Sequence, residues 1–253
     1  MEPWTWNAIN GDRMKKPFET TRHCVRSTKI RIPFCVVQVS DLHNALYGKN
    51  QSALLEAIAA EHPDWIAVTG DLFNRKNSGA YRNALVLIEG LERIAPVYVV
   101  EGNHEAALGK EGEQLLQETV FRGATLLCDE KTTVFGVNLI GLKQRATAQT
   151  LQSLTDPERF NLVLCHRPEL FLNYAQTDAD VILCGHAHGG QIRIGNTALY
   201  APQQGMFPPY TSGLYERNGT KLYVSRGLGD TVIWPRIHNP HELNVFRFAP
   251  ETE

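Results

Sequence analysis

The chain is poor in cysteine, has no excess of charge of either sign, and contains no long apolar run. Each shortage rules something out. Five cysteines among 253 residues are an odd number without a repeating spacing, which argues against a disulfide framework. Cys35, Cys165 and Cys184 stand inside apolar runs and read as small buried hydrophobes rather than redox or ligand thiols. Basic residues number 25 and acidic ones 27, for a formal net charge of -2, so a polyanion such as nucleic acid is not the expected partner. No run approaches the ~20 apolar residues of a membrane span, and the N-terminus lacks the basic stretch and apolar core of a signal peptide. The expected location is the cytoplasm, with peripheral contact at a membrane as the alternative. Trp4 and Trp6 are of a type that seats at such an interface, although packing on the domain is the expectation for both.

What the chain has is 43% hydrophobic and 21% charged residues, which suits one globular domain with a large core. Residues 1–30 are polar and read as an irregular arm laid on a single domain spanning 31–250. Apolar runs then alternate with helical patterns. Phe34–Val39, Trp65–Val68 and Val97–Val100 read as buried strands, and residues 54–58, 85–91 and 111–121 as helices, the first capped near Asn50. Short strands follow at Thr125–Cys128, Thr132–Phe135 and Asn138–Leu142. Leu162–Leu164 and Val181–Leu183 are again continuous apolar strands, separated by a short helix at Pro168–Tyr174. Further strands are expected near Gln191–Ile194, Lys221–Ser225 and Leu243–Phe248. Continuous apolar strands imply a sheet covered on both faces. The expected fold class is therefore α/β in layers, with more hairpins in the second half.

Every buried strand runs into a polar cluster. The sequence reads Ser40-Asp41-Leu42-His43, then Thr69-Gly70-Asp71, then Glu101-Gly102-Asn103-His104-Glu105, then His166, then Gly185-His186-Ala187-His188. In open α/β sheets the carboxyl ends of strands form the site. Five strand ends thus converge on Asp41, His43, Asp71, Asn103, His166, His186 and His188. Alternation along an extended segment is expected to send Asp41 and His43 to one side, and His186 and His188 likewise. Glycines at 185, 189 and 190 keep bulk away and allow unusual backbone angles. Oxygen and imidazole donors without thiolate suit Mn, Fe, Zn or Co. Seven donors exceed one ion with an open position, and two divalent ions sharing a carboxylate account for the number.

Asp41-x-His43, Gly70-Asp71, Gly102-Asn103-His104-Glu105, His166 and Gly185-His186-x-His188 together resemble the calcineurin-like binuclear metallophosphoesterase superfamily. "SDLHN", "GNHE", "HRPELF", "GHAHGGQ" and "SRGLG" look like its YkuE/YaeI-type branch. The resemblance implies a β-sandwich flanked by helices in αββα layers and a phosphohydrolase with a binuclear centre of Mn, Fe or Zn. It further implies that Asp41, His43, Asp71 and His188 hold one ion, and that Asp71, Asn103, His166 and His186 hold the other. Members of the branch often carry an N-terminal membrane or export segment, and this sequence shows none. Where the branch usually ends in an Asn-x-Pro-Glu-like element, this chain reads Asn239-Pro240-His241-Glu242.

His104, next to a ligand position, is expected to face the substrate and to stabilise or protonate the leaving oxygen, with Asp71 or Glu105 orienting it. Related Ser/Thr phosphatases have an arginine just before the Gly-Asn-His-Glu block, whereas this chain has Glu101. An anion there disfavours a doubly charged monoester and favours a phosphodiester or pyrophosphate. Arg75 is a candidate cation for such a substrate. Tyr200–Tyr215, with Met206, Phe207, Tyr210 and Leu214, is either a loop folded onto the domain or the contact for a lipid-linked substrate. A non-catalytic scaffold on the same fold and a nuclease are the alternative functions. His23, His238 and His241 read as surface or packing residues, and His62 as a charge at a helix end.

Overall fold

A computed structural model describes residues 18–74, 80–195, 197–230 and 235–251. Trp4, Trp6 and Arg75 lie outside the described residues. The first half runs β1 (Glu19–Ser27), β2 (Phe34–Val39), α1 (Ser52–Ala59), β3 (Trp65–Val68), α2 (Tyr81–Glu92) and β4 (Val97–Val99). It continues through α3 (Asn103–Ala107), α4 (Lys110–Phe121) and β5 (Thr125–Leu126). The second half runs β6 (Glu130–Val134), β7 (Val137–Gly141), α5 (Ala148–Leu154), β8 (Asn161–Leu164), α6 (Phe171–Tyr174) and β9 (Val181–Cys184). Two small hairpins follow, β10 (Arg193–Ile194) with β11 (Thr197–Ala198), and β12 (Tyr200–Ala201) with β13 (Gly205–Met206). The chain then forms β14 (Gly213–Arg217), β15 (Thr220–Val224) and β16 (Glu242–Pro250).

The strands make two six-stranded sheets, in the orders β1-β16-β2-β3-β4-β5 and β14-β15-β9-β8-β7-β6. β2 to β5 are parallel neighbours, as are β7, β8, β9 and β15. Antiparallel hairpins close both edges of the second sheet, through β6 with β7 and β14 with β15. Side-chain alternation explains the layers. Val37 and Val39 of β2, with Ile66 and Val68 of β3, face α1, α2 and α4. Phe34, Val36, Trp65 and Ala67 face the other way and meet Leu139, Leu162, Leu164, Val181 and Leu183 of the second sheet. Val163 and Ile182 point outward to Leu151 of α5 and to Phe171 and Tyr174 of α6. The molecule is a single αββα domain, and the strands buried on both faces are the ones with unbroken apolar runs.

Four local expectations change. Glu19–Ser27, read as irregular, is a strand on the edge of the first sheet, paired in parallel with β16. Its ETTRHCVRS sequence buries only Val25, so the apolar signal is weak. Helix α5 carries no apolar periodicity in the sequence, because Leu151 is its single buried residue. Asn50 does not cap α1: it sits at φ 53° in a short 3-10 turn, Lys49–Gln51. The side-chain amide of Gln51 closes that entry instead, donating to Ala45 O at 2.7 Å and accepting from Tyr47 N at 2.9 Å. Part of Tyr200–Tyr215 is strand, since it contains β12, β13 and the start of edge strand β14.

Candidate metal centre

Parallel strands of both sheets end on one edge of the sandwich, and their following loops carry the seven donor residues. Asp41 and His43 follow β2, Asp71 follows β3, and Asn103 opens α3 after β4. His166 follows β8, and His186 and His188 follow β9. The backbone at these ends is not the extended segment expected from alternation. Asp41, His43, Asp71, His186 and His188 all lie at positive φ, of 51°, 48°, 53°, 70° and 48°. Left-handed turns, which cost non-glycine residues free energy, therefore aim these side chains into the donor groups, Asp41 and His43 into one, His186 and His188 into different ones. Hydrogen bonds across the strand ends hold these turns. Asp41 N donates to Gly70 O, and His43 N to Asp71 O, both at 3.0 Å.

Among the described residues, Asp41, His43, Asp71 and His188 form one buried group whose potential donor atoms all lie within 4.8 Å of one another, and Asp71, His166 and His186 form a second. Asp71 belongs to both. Its Oδ1 accepts the His104 amide at 2.8 Å. Its Oδ2 lies 3.7 Å from His43 Nε2, 3.2 Å from His166 Nε2 and 4.0 Å from His104 Nε2. In the first group, His43 Nε2 and His188 Nε2 face each other at 3.1 Å, and Asp41 Oδ1 is 3.5 Å from His188 Nε2. In the second, His166 Nδ1 meets Thr69 O at 2.8 Å, which fixes its proton on that side. His166 Nε2 is then surrounded by Asp71 Oδ2, by Asn103 Oδ1 at 3.1 Å and by His186 Nδ1 at 3.1 Å.

The electrostatics of the site express the same demand for positive charge. Burial would lower the pKa of His166, but Asp71 and Asp41 outweigh it and raise it to about 10. Burial lowers His43 and His186 to about 3 and His188 well below its ordinary value. Those three imidazoles are therefore neutral, with lone pairs available to a cation. Burial raises Asp41 to about 6. For Asp71 burial acts in the same direction, but the His166 charge overcomes it and holds the carboxyl well below its usual value. Neutral imidazoles, carboxylates and one amide oxygen converging in a dry site are a donor set for divalent cations.

Close backbone approach explains two of the glycines. A Cβ on Gly102 would lie 2.1 Å from Asp71 N, and one on Gly185 would lie 1.9 Å from Ser40 Oγ. Glu105 has a different task from the one expected. Its carboxylate accepts from Gly102 N at 2.8 Å and from Asp71 N and Phe73 N, both at 2.9 Å, so it staples the β3 and β4 ends together rather than orienting His104. His104 packs edge-on against His43, with ring centroids 4.5 Å apart, and its side chain is 31% exposed. Glu101 is half-buried, its carboxyl raised by burial. Its carbonyl accepts from Gln144 Nε2 at 2.9 Å, and Gln144 Oε1 in turn accepts from Arg167 Nε at 2.7 Å.

Several further residues support the centre. Buried Gln38 spans the two sheets, donating to Thr69 Oγ1 at 2.9 Å and to Cys184 O at 3.0 Å. Arg236 lies 3.2 Å from His188 Nδ1 and donates to Arg226 O and Gly229 O, both at 2.7 Å. Gln203, at the turn of the β12–β13 hairpin, reaches His186 Nε2 with its side-chain oxygen. Asn239, from the reordered Asn-Pro-His-Glu element, donates to His188 O at 2.7 Å and Gln191 O at 3.1 Å. The remaining histidines stand outside the centre. His23 stacks on Phe246 at 4.8 Å, His62 follows α1, His238 is exposed, and His241 meets Asp230 Oδ1 at 2.7 Å.

A family model described as calcineurin-like phosphoesterase matches residues 35–190. The chain is 28% identical over 247 residues to an uncharacterized metallophosphoesterase, YkuE, of Bacillus subtilis, covering 90% of this chain and 84% of the relative. It is 30% identical over 226 residues to the phosphodiesterase YaeI of Escherichia coli, covering 84% of this chain and 82% of the relative. Among solved structures, NAD nucleotidase NadN of Haemophilus influenzae aligns with a TM-score of 0.52 at 18% identity, over 78% of this chain and 45% of that one. The sulfate thiohydrolase SoxB of Thermus thermophilus aligns with a TM-score of 0.52 at 13% identity, over 85% of this chain and 56% of that one. This chain thus spans about half of each of those two proteins, and the likeness to them is one of fold.

Proposed function

The chain belongs to the calcineurin-like phosphoesterase family, a family of binuclear-metal phosphate-ester hydrolases, and from that footing we propose that it hydrolyses a phosphodiester or a pyrophosphate. The observation that carries the reading is Asp71, whose carboxylate is shared by two groups of buried donors. In this reading Asp41, His43, Asp71 and His188 hold one divalent ion, and Asp71, Asn103, His166 and His186 hold the other, with Mn, Fe and Zn as the candidates. When bound, two such ions lower the pKa of water toward neutrality and offset the charge on the phosphoryl oxygens.

The protein's own groups supply the rest. Asn103 contributes a neutral oxygen, which limits the negative charge of the donor set. His104 is part-exposed beside Asp71 Oδ2, and in this reading it donates a proton to the leaving oxygen as the ester bond breaks. Glu101 stands two residues before Asn103, and in this reading its negative charge favours a singly charged phosphodiester over a doubly charged monoester. The domain in this reading is residues 31–250, with residues 1–30 as an arm of which Glu19–Ser27 joins the first sheet.

A lipid-linked substrate is the finer reading. Support comes from the hairpins after His188, which expose Ile194 at 77%, Phe207 at 67% and Met206 at 59%. No helix among the described residues is long and apolar enough to cross a membrane. Cytoplasmic location with peripheral membrane contact is the corresponding proposal.

The test is hydrolysis of a substrate panel by protein loaded with Mn. The panel is bis-nitrophenyl phosphate, nitrophenyl phosphate, cyclic nucleotides and a nucleotide-linked lipid. The expected result is chelator-sensitive turnover with a higher kcat/KM for the diester than for the monoester, and a shift toward the monoester in Glu101→Arg. A wild-type enzyme that strongly prefers monoesters removes the Glu101 argument. Two bound metals with no turnover of any substrate would favour a scaffold, and cleavage confined to nucleic acid would favour a nuclease.

A further inference from the structure

Among the described residues, His186 is the one imidazole of the centre whose outward nitrogen is met by a side chain from a surface hairpin. Its Nδ1 points inward, 3.1 Å from His166 Nε2. Its Nε2 is met by the side-chain oxygen of Gln203. A neutral imidazole carries one proton, and the partner of one nitrogen decides which nitrogen keeps it. An oxygen can only accept, so the proton sits on Nε2 and Nδ1 presents a bare lone pair to the cluster. The opposite amide orientation would put an NH2 donor against Nε2. The proton would then move to Nδ1 and point at His166, and His186 would lose its donor atom.

The hairpin turn does not need Gln203 for its own closure. Ala201 pairs with Gly205 across it, and Gln204 N donates to Ala201 O at 3.3 Å. Gln204 also fastens the following segment, donating to Tyr210 O at 2.6 Å and accepting from Tyr210 N at 2.9 Å. Gln203 itself stands at φ 55°, a conformation unfavourable for a side chain of its type, and its amide is spent on His186.

We propose that Gln203 is a positioning residue of the metal centre: its side-chain oxygen accepts the Nε2 proton of His186 and so sets the Nδ1 lone pair toward the ion shared with Asp71, Asn103 and His166. This rests on the reading of His186 as a ligand. It also makes the hairpin that exposes Met206 and Phe207 a structural partner of that ligand. Second partners of ligating histidines typically contribute 10–100-fold in metal affinity.

Equilibrium dialysis with Mn on wild type, Gln203→Leu and Gln203→Glu tests the proposal. Wild type should bind two equivalents. In Gln203→Leu one of them should weaken about 10–100-fold, with kcat largely recovered at saturating Mn. Gln203→Glu keeps an acceptor and should bind that ion at least as tightly as wild type. Ring nitrogen NMR of the metal-free protein should report the Nε2–H form of His186 in wild type and Gln203→Glu, and a mixed or Nδ1–H form in Gln203→Leu. If Gln203→Leu holds both ions with wild-type affinity, the proposal fails while the metal reading stands. If Gln203→Glu loses the ion as Gln203→Leu does, hairpin packing explains the effect and the proposal fails. If wild type itself binds fewer than two equivalents, the binuclear reading fails and takes this one with it.

Discussion

Asp71 divides its two oxygens between two tasks. Oδ1 is fixed by the His104 amide at 2.8 Å, which leaves Oδ2 free to face both donor groups. Asp71→Ala should therefore remove both ions together, and metal analysis should find less than one equivalent bound. His104→Ala removes a side chain outside both groups. It should keep two equivalents and lose about 10²–10⁴-fold in kcat, less for a leaving group that needs no proton; equal losses for good and poor leaving groups would remove the acid role. At this scale the donor residue types and their spacing were legible in the sequence, because each stands directly behind an apolar strand. The left-handed backbone that aims them was not, since no local pattern distinguishes Asp41 at φ 51° from an extended aspartate. Gln203, Arg236 and Gln38 were also invisible. Their partners lie 17, 48 and 146 residues away, and a lone polar residue gives no sign of such a contact.

Among the elements, the small hairpins after β9 separate two ways of using apolar residues. Buried strands carry theirs in unbroken runs, and those were legible. The β12–β13 hairpin carries Met206 and Phe207 outward, into solvent, while buried Ala201 and half-buried Tyr210 hold its base. Replacing both outward residues, as Met206→Ser with Phe207→Ser, should leave the core intact and the melting temperature nearly unchanged. KM for a lipid-linked substrate should rise, and hydrolysis of bis-nitrophenyl phosphate should stay at the wild-type rate. A joint fall of both activities with the melting temperature would make the hairpin purely structural. Two of the elements missed in the sequence, β1 and α5, share a cause: each buries a single residue, and periodicity needs several.

Over the whole molecule, the class of fold was legible from alternating strands and helices, but strand order was not. Nothing local announces that β16 inserts between β1 and β2. A polar clamp fastens this closure. Glu242 accepts from Thr21 Oγ1 at 2.6 Å, from Arg226 Nη2 at 2.9 Å and from Arg226 N at 3.0 Å. Burial alone would raise the Glu242 carboxyl, but Arg226 and the hydrogen bonds outweigh it and hold it below its ordinary value. The folded chain thus binds this proton less readily than the unfolded chain does. The contribution is complete above the unfolded pKa of about 4.3 and is lost as pH falls below it. Glu242→Gln should cost about 1–3 kcal/mol at pH 7. Its melting temperature should then fall less steeply than that of wild type between pH 5 and pH 3, as followed by circular dichroism. Parallel acid limbs for the two proteins would show that Glu242 does not carry this dependence.

The position of β16 also governs how the protein is made. Synthesis proceeds from the N-terminus, so β1 and β2 leave the ribosome more than 200 residues before the strand that must lie between them. Until residue 250 has emerged, Phe34 and Val36 lack the neighbours they have in the finished core, Phe248 and Phe246. The nascent chain carries an open seam with exposed apolar surface and unpaired strand edges, the condition in which chains aggregate or engage chaperones. A premature stop anywhere before Glu242 would leave that seam permanently open, so truncated products are material for proteolysis rather than partly active enzymes.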